Sequence, residues 1–353
     1  MSKPTSPSNH AALRAEVADL FEPSPLTYWL DLSVHAALGW MGFALAVAYT
    51  GWPAAFFILL SAVALYRAVV FTHELVHVRR DRLRAFRIAW DAICGVPELA
   101  PSFLYDGVHQ EHHFANHYGT AGDGEYLPFG QPPAWRIAAY LAGHVLIPLL
   151  AVLRFGLVGP VSWLWPSIRS TVLERMSSLS IDPRYVRKLP GTIPAAWRVQ
   201  EAACSVFVWC AGVGLWAGWI PLRALWVWYV VVVLILVLNG IRTLAAHRYA
   251  NREGAMTRDE QLLDSVNIAG SSPLTPLLAP VGLRYHALHH LFPTMPYHNL
   301  GAAHRRLMRA LPADAPYRET VEPGFLPVLT DLWRRAGRPQ AHPTASRLPN
   351  EET

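Results

Sequence analysis

The chain has 353 residues, a formal net charge of +5, 52% hydrophobic residues and only 16% charged ones. With a mean hydropathy of +0.21, this balance favours one polytopic membrane domain over two soluble ones, and the 14 Trp and 13 Tyr suit aromatic belts at two membrane interfaces. Of the 30 basic residues only Lys3 and Lys188 are lysine, and the arginines flank apolar runs where they set topology and meet headgroups, which argues against a nucleic-acid partner.

Residues 1–10 read as disordered. Residues 11–21 (AALRAEVADLF) read as a short amphipathic helix, on the membrane surface or as a solvated tail. The first apolar run begins only near Tyr28, which is too late for a cleavable signal peptide. Trp29–Thr50 and Trp52–Phe71 are each about 20 residues, the length that a hydrocarbon core requires, with Gly51-Trp52-Pro53 as the turn. His35 in the first run reads as a packed or hydrogen-bonded residue. Arg67 sits near enough to the end of the second to snorkel.

Phe71-Thr-His-Glu-Leu-Val-His77 closes the second run and places His73 and His77 on one helical face. Arg79, Arg80, Arg82, Arg84 and Arg87 follow, and by the positive-inside rule they put this end on the cytoplasmic side. Residues 86–105, broken by Pro97 and Pro101, read as an interfacial or re-entrant segment. It leads to a second cluster, His109-x-x-His112-His113. Ile137–Trp165 is apolar but too short for two spans. Ala202–Ile220 and Ala224–Ala246 form a hairpin through Pro221-Leu-Arg223, and a third cluster, His286-x-x-His289-His290, comes after it. For all three clusters to share a face, the chain must cross an even number of times between the second and the third. Residues 137–165 therefore dip and return or lie in the interface, which keeps Arg136, Arg154 and Arg169 on one side.

The expected fold is an all-α integral membrane protein. It has about four transmembrane helices, two plus two, an additional re-entrant or interfacial apolar segment, and a cytoplasmic helical cap carrying the histidines. The expected organisation is a polar tail (1–27), a membrane domain (28–312) and a C-terminal extension (313–353), disordered beyond about Arg335. Cys94, Cys204 and Cys210 lack zinc-finger or redox spacing and read as free buried thiols.

Three histidine clusters are hard to explain as packing, because offsets of 0, +3 and +4 share one helical face. Imidazole suits Zn, Cu, Fe and Ni. A structural or catalytic zinc takes only three or four protein ligands, so eight histidines imply two metals. Two neighbouring irons could activate O₂ and take hydrogen from an unactivated C–H bond. Glu74, Asp106, Glu111, Asp123 and Glu125 lie near enough in sequence to accept the ligands' free N–H groups.

The three boxes resemble those of the integral-membrane fatty acid desaturase and hydroxylase superfamily over roughly residues 28–310. The flanks resemble it too, most closely in acyl-lipid desaturases: Asp123-Gly-Glu125-Tyr-Leu-Pro128 after the second box, and His289-His-Leu-Phe-Pro293-Thr-Met-Pro296-Tyr-His298-Asn299 at the third. The resemblance implies a diiron centre on His73, His77, His109, His112, His113, His286, His289 and His290. It also implies His247, at the cytosolic end of the last span. Some relatives carry an Asn one turn before that histidine, where this chain has Thr243. His117, four after His113, is a candidate ligand or a partner of one. His144 reads as core, His298 as part of a substrate mouth or a turn cap, and His304 as a solvated or headgroup-facing surface.

The activity implied is O₂-dependent desaturation of an acyl lipid or acyl thioester, with no catalytic residues beyond the metal centre. Hydroxylation of fatty acids or alkanes and ketolation or hydroxylation of carotenoids are the alternatives in the same superfamily. Trp40, Trp90 and the region of Asn239 are expected to line an acyl tunnel. The chain lacks a flavin, haem or iron–sulfur signature, so electrons would come from a separate carrier of the ferredoxin or cytochrome b5 type. Two rivals belong to other classes. His73-Glu-Leu-Val-His77 is also the HExxH of a zinc metalloprotease, with Glu74 as general base, and a His-rich transporter would carry metal ions.

Overall fold

The computed structural model describes residues 10–78, 82–251 and 254–338. Arg79 and Arg80 of the orienting basic run lie outside these residues. So do residues 1–9 and the tail from residue 339, on which most of the disorder expectation falls.

Helix α1 (Pro25–Ala48) begins at Ser24, whose side chain accepts from the Thr27 N–H, with Pro25 in the first position where its missing N–H costs nothing. Helix α2 (Gly51–His77) returns beside it. Gly51, at φ +65, makes the reversal. The pair approaches closely at Gly39, where an added Cβ would stand 2.5 Å from Leu65 Cγ, the small-residue contact typical of membrane helices. Arg67 donates to both oxygens of Asp31 at 2.5 and 2.7 Å, and His35 Nδ1 and the Tyr297 hydroxyl meet the same carboxylate at 2.8 Å each.

After the helix Arg84–Trp90, a π-helical turn (Asp91–Gly95) carries the chain down to the middle of α1. There the Trp40 indole donates to the Ile93 carbonyl at 3.0 Å. The chain then climbs back to the short helix α3 (Val108–His113). This path suits the re-entrant form of the interfacial or re-entrant segment expected over residues 86–105.

Helices α4 (Trp135–Gly143), α5 (Ile147–Leu164), α6 (Ala195–Trp216) and α7 (Leu222–Leu244) follow. Among the described residues α1, α2, α5, α6 and α7 could each cross a membrane by length and composition, five helices where the sequence suggests four. The fifth, α5, is the segment expected to dip, and its contacts describe that path. Tyr140 and Ile137 of α4 cluster with Leu244 at one end of α7. Further down, the Tyr229 hydroxyl donates to the Val145 carbonyl at 2.9 Å. The chain reverses there, and α5 returns until Arg154 and Arg169 both bind Glu201, in the second turn of α6, at 2.6 Å. The two ends of the α4–α5 pair thus lie on the same side of the bundle. Leucines 149, 150, 157 and 164 of α5 and Trp209, Trp216 and Trp226 of the hairpin face outward, as lipid-facing residues do.

Helices α8 (His286–Leu291) and α9 (Tyr297–Ala310) form the cap. A two-residue parallel pairing of β1 (Asn267–Ile268) with β2 (Val321–Glu322) supports it, and the helix Phe325–Arg335 packs Val328 and Leu332 into the core. The N-terminal helix His10–Glu16 buries Leu13, and Val17 follows it, against Leu300, Ala303 and Leu307 of α9. Its apolar face therefore meets protein rather than membrane or solvent. Cys94 and Cys204 are buried free thiols, but Cys210 is exposed on α6.

Candidate metal centre

Nine imidazoles converge where α2, α3, α8 and the chain after α7 meet. His73, His77, His109 and His289 offer ring nitrogens that all lie within 4.8 Å of one another, and His112, His247, His286 and His290 form a second such set. His113 stands between the sets. Its Nε2 is 3.0 Å from that of His109 and 3.1 Å from that of His289, and its ring centre is 4.4 Å from that of His290. In the second set His286 Nε2 lies 3.0 Å from His247 Nε2 and 3.1 Å from His290 Nε2.

These spacings fit metal ligation. Imidazoles bound to one ion at about 2.0–2.1 Å stand about 2.8–3.4 Å apart across right-angle to tetrahedral bond angles. Both ring nitrogens of His73 and Nε2 of His77 are buried without a hydrogen-bond partner. Buried polar atoms are rarely left so, and a bound cation would satisfy them.

Four rings meet a partner at Nδ1, while Nδ1 of His113, His286 and His289 is buried without one. His112 Nδ1 donates to Asp123 at 2.9 Å, while the N–H groups of Gly119 and Glu125 donate to the same carboxylate. His109 Nδ1 donates to Glu125 Oε1 at 2.7 Å, and the Tyr105 hydroxyl donates to Oε2 at 2.6 Å. His247 Nδ1 is 2.7 Å from the Tyr118 hydroxyl, which donates to Asp264 at 2.7 Å. The Gln261 amide lies 3.2 Å from His290 Nδ1 and 3.2 Å from the His112 carbonyl. The partners of His109, His112 and His247 accept the Nδ1 proton and leave Nε2 free to face inward, the arrangement that metal-ligating histidines adopt.

Burial, reinforced by neighbouring imidazoles, lowers His109, His113, His247, His286, His289 and His290 well below the usual imidazole range. They are therefore neutral, as ligation requires. At His112 burial acts in the same direction, but the Asp123 and Glu125 carboxylates together outweigh it and the net shift is upward. Burial pushes Glu125 up to about 7.

Asp123 and Glu125 thus do what their positions suggested, and three other acids do not. Glu74 accepts from the Tyr28 hydroxyl at 2.6 Å and the Tyr297 N–H at 3.3 Å, tying α1 to the flank of the third box. Asp106 accepts from the Trp197 indole at 3.1 Å. Glu111 pairs with His117, which sits at the rim rather than among the nine rings. Thr243 is buried, and its carbonyl accepts from the Tyr249 hydroxyl at 2.7 Å.

His144 is core, its ring facing Gly240. His298 caps α1 by accepting the Ser24 N–H at 3.1 Å, and it also lines a cavity of about 340 Å³ with Tyr297 and Arg284. His304 is not a surface residue. It is buried beside Tyr317 at 2.8 Å, and burial lowers it to about 4. Trp90 is wholly buried and donates to the Ala68 carbonyl at 2.7 Å, and Asn239 accepts from Arg242 at 2.9 Å.

Tyr105, Tyr118, Gln261 and Asp264 were not found from the sequence. Tyr105 is four before His109, a spacing that could have found it. Tyr118 and His247 are 129 residues apart, and no local pattern joins them.

A helical membrane scaffold whose boxes gather nine imidazoles at one end defines the class of membrane desaturases and hydroxylases. The fatty acid desaturase family matches residues 50–321, and the chain belongs to that family. It is 42% identical over 327 residues to the ceramide hydroxylase of Caulobacter vibrioides (strain NA1000 / CB15N), covering 92% of each chain. No solved structure matches it.

Proposed function

We propose that the chain is a diiron hydroxylase of a ceramide-type lipid, held in the membrane with its histidine boxes on the cytoplasmic face. The observation that carries the reading is the pair of facing imidazole sets at the ends of membrane helices. Likeness to a ceramide hydroxylase over nearly the whole length favours hydroxylation over the desaturation first expected. The His73–His77 pair belongs to a larger array and Glu74 is occupied by two tyrosines, which removes the support for a protease.

His73, His77, His109, His113 and His289 would hold one iron, and His112, His247, His286 and His290 the other. When bound, the pair supplies O₂ activation and C–H abstraction. The net reaction places one oxygen atom of O₂ in a C–H bond. The other oxygen leaves as water, formed with two protons and two electrons from a separate carrier. The protein's own residues keep the imidazoles neutral, turn Nε2 of His109, His112 and His247 inward and exclude water from the lipid's reacting carbon. The basic stretch after α2 suits an acidic carrier.

The test is growth of an expressing host under ¹⁸O₂, with extraction of its sphingolipids and elemental analysis of the purified protein. A ceramide carrying one new labelled hydroxyl, with close to two irons per chain, supports the proposal. A new double bond without added oxygen returns the activity to desaturation. One zinc per chain and an unchanged lipid profile would overturn both.

A further inference from the structure

Between Asp264 and Arg284 the chain carries no charged side chain, although this segment belongs to the cap that stands beyond the ends of the membrane helices. Its middle part is exposed. Leu274 is 60% and Leu277 49% exposed, and Pro273 and Pro276 beside them are exposed as well. A contiguous apolar patch of this kind marks a contact surface.

The path of the segment says what it contacts. The Tyr66 hydroxyl of α2 donates to the Leu278 carbonyl at 2.8 Å, and the turn Thr275–Leu278 packs against α7. Tyr66 lies about 16 Å of helix before His77. Its neighbour Arg67 binds Asp31 at 2.5 Å, which fixes the part of α1 that stands at the same level. Around Asp31 the outward residues of α1 are Leu26, Leu30 and Val34, all exposed as lipid-facing residues are. The segment therefore hangs from the cap into the band where α1 meets lipid.

A second element lies alongside. The Ala269 N–H donates to the Glu322 carbonyl at 3.0 Å, and Gly270 abuts the Pro323 carbonyl. The helix Phe325–Arg335 starts just beyond, and it has three sides. Phe325, Val328 and Leu332 form the buried side. Leu326, Leu329 and Trp333 form the next stripe, with Leu326 72% and Trp333 50% exposed. Thr330, Asp331 and Arg334 form a polar third side. A helix with a protein side, an apolar side and a polar side suits the plane of a membrane interface. Phe325, Val328 and Leu329 pack into the same cluster as Leu278 and Ala279, so the two apolar edges adjoin.

We infer that this edge of the cap, residues 269–281 with the outer side of the helix Phe325–Arg335, is sunk in the bilayer and that its partner is the acyl region of the membrane lipids. Leu274, Leu277, Leu326 and Trp333 supply the inserted surface, and a segment without charge matches a partner without charge. Trp333 takes the interfacial position that indoles favour. Arg334 and Arg338, exposed at the end of the helix, meet anionic headgroups. The level decides for lipid over a soluble protein partner, because the patch continues the outward band of α1. His286 follows Arg284 and Tyr285 directly, so this contact sets the height of the third histidine box over the membrane. The inference uses neither the ceramide reading nor the identity of the metals.

The test is fluorescence quenching of the metal-loaded full chain in nanodiscs of phosphatidylcholine and phosphatidylglycerol. A small thiol-reactive fluorophore is placed on Leu277→Cys, Trp333→Cys or Asp331→Cys, each in a Cys210→Ser background, since Cys94 and Cys204 are buried. The labels on Leu277→Cys and Trp333→Cys should be quenched by phosphatidylcholine brominated on its acyl chains and should be several-fold less sensitive to aqueous iodide than the label on Asp331→Cys, on the polar side. Leu326→Cys gives the same reading if Trp333→Cys does not fold. Equal iodide quenching of the Leu277→Cys and Asp331→Cys labels would put the edge in water and overturn the inference. Protection from both quenchers would mean that a second copy or another protein covers the edge, and would overturn it too. Quenching is read before any substrate is added. Quenching as expected without ceramide hydroxylation would sink the proposed activity alone, and hydroxylation with the edge in water would sink this inference alone.

Discussion

Asp123 lies 2.9 Å from Nδ1 of His112, and neither residue is more than 1% exposed. A carboxylate buried so deeply is kept by what it orients. It takes two backbone N–H groups from its own loop and one from the imidazole, so it is shaped before any metal arrives.

Asp123→Asn keeps the shape and loses the charge that fixes the tautomer. Metal affinity should fall by about 10–100-fold, and it should fall first in the His112, His247, His286, His290 set. Iron per chain measured against increasing chelator should show two release steps, with only the weaker one moved. Loss of both irons together would mean that the two sets are one site.

Glu74→Gln separates the oxygenase from the protease. The amide oxygen of Gln can still accept from Tyr28 and Tyr297, whose bonds to Glu74 tie α1 to the third box. Metal content and lipid oxidation should therefore stay within about tenfold of wild type. A zinc protease would lose all activity with its general base. Elemental analysis beside a peptide-hydrolysis assay decides between them.

Glu201 is 1% exposed on its side chain and binds both Arg154 and Arg169. Glu201→Gln leaves two cations at the end of the dip without a counter-charge. Removing one partner of a buried pair costs about 3–5 kcal/mol, so thermal unfolding in detergent should shift down clearly. Arg169→Gln, which leaves the pair formed by Glu201 and the 5%-exposed Arg154 intact, should cost much less. Equal losses would remove Arg154 from the account.

Much of this architecture was legible because membrane insertion leaves a coarse record. Apolar length marked the helices, and parity asked residues 137–165 to dip and return or to lie in the interface. Asp123 and Glu125 were legible because they stand close to their histidines in sequence. Tyr118 and Asp264 were not, because they reach His247 from distant segments and only the fold joins them. Glu74, Asp31 and His304 show the opposite error. Nearness or polarity suggested a metal partner for Glu74 and a water-facing place for His304, and Asp31 passed unnoticed. Each is instead used to bind one buried element to another.

Acid should release the metal and loosen the cap together. His109, His113, His247, His286, His289 and His290 all lie well below the usual 6.5 because of burial. Above about pH 6.5 these rings are neutral whether the chain is folded or not, and they add no pH dependence. Below it the unfolded chain binds protons that the folded chain refuses, so stability falls as pH falls towards the lowered folded values. His112 has the opposite sign. Its raised value gives stability that is full below 6.5 and is lost as pH rises through the folded value, but it is one ring against six. Bound metal sharpens the trend, since each ligand must stay unprotonated to hold it. Iron per chain and the thermal midpoint, compared at about pH 7.5 and about pH 5, should both drop at the lower value. A midpoint that rises on acidification would mean that the six rings are not buried as a neutral set.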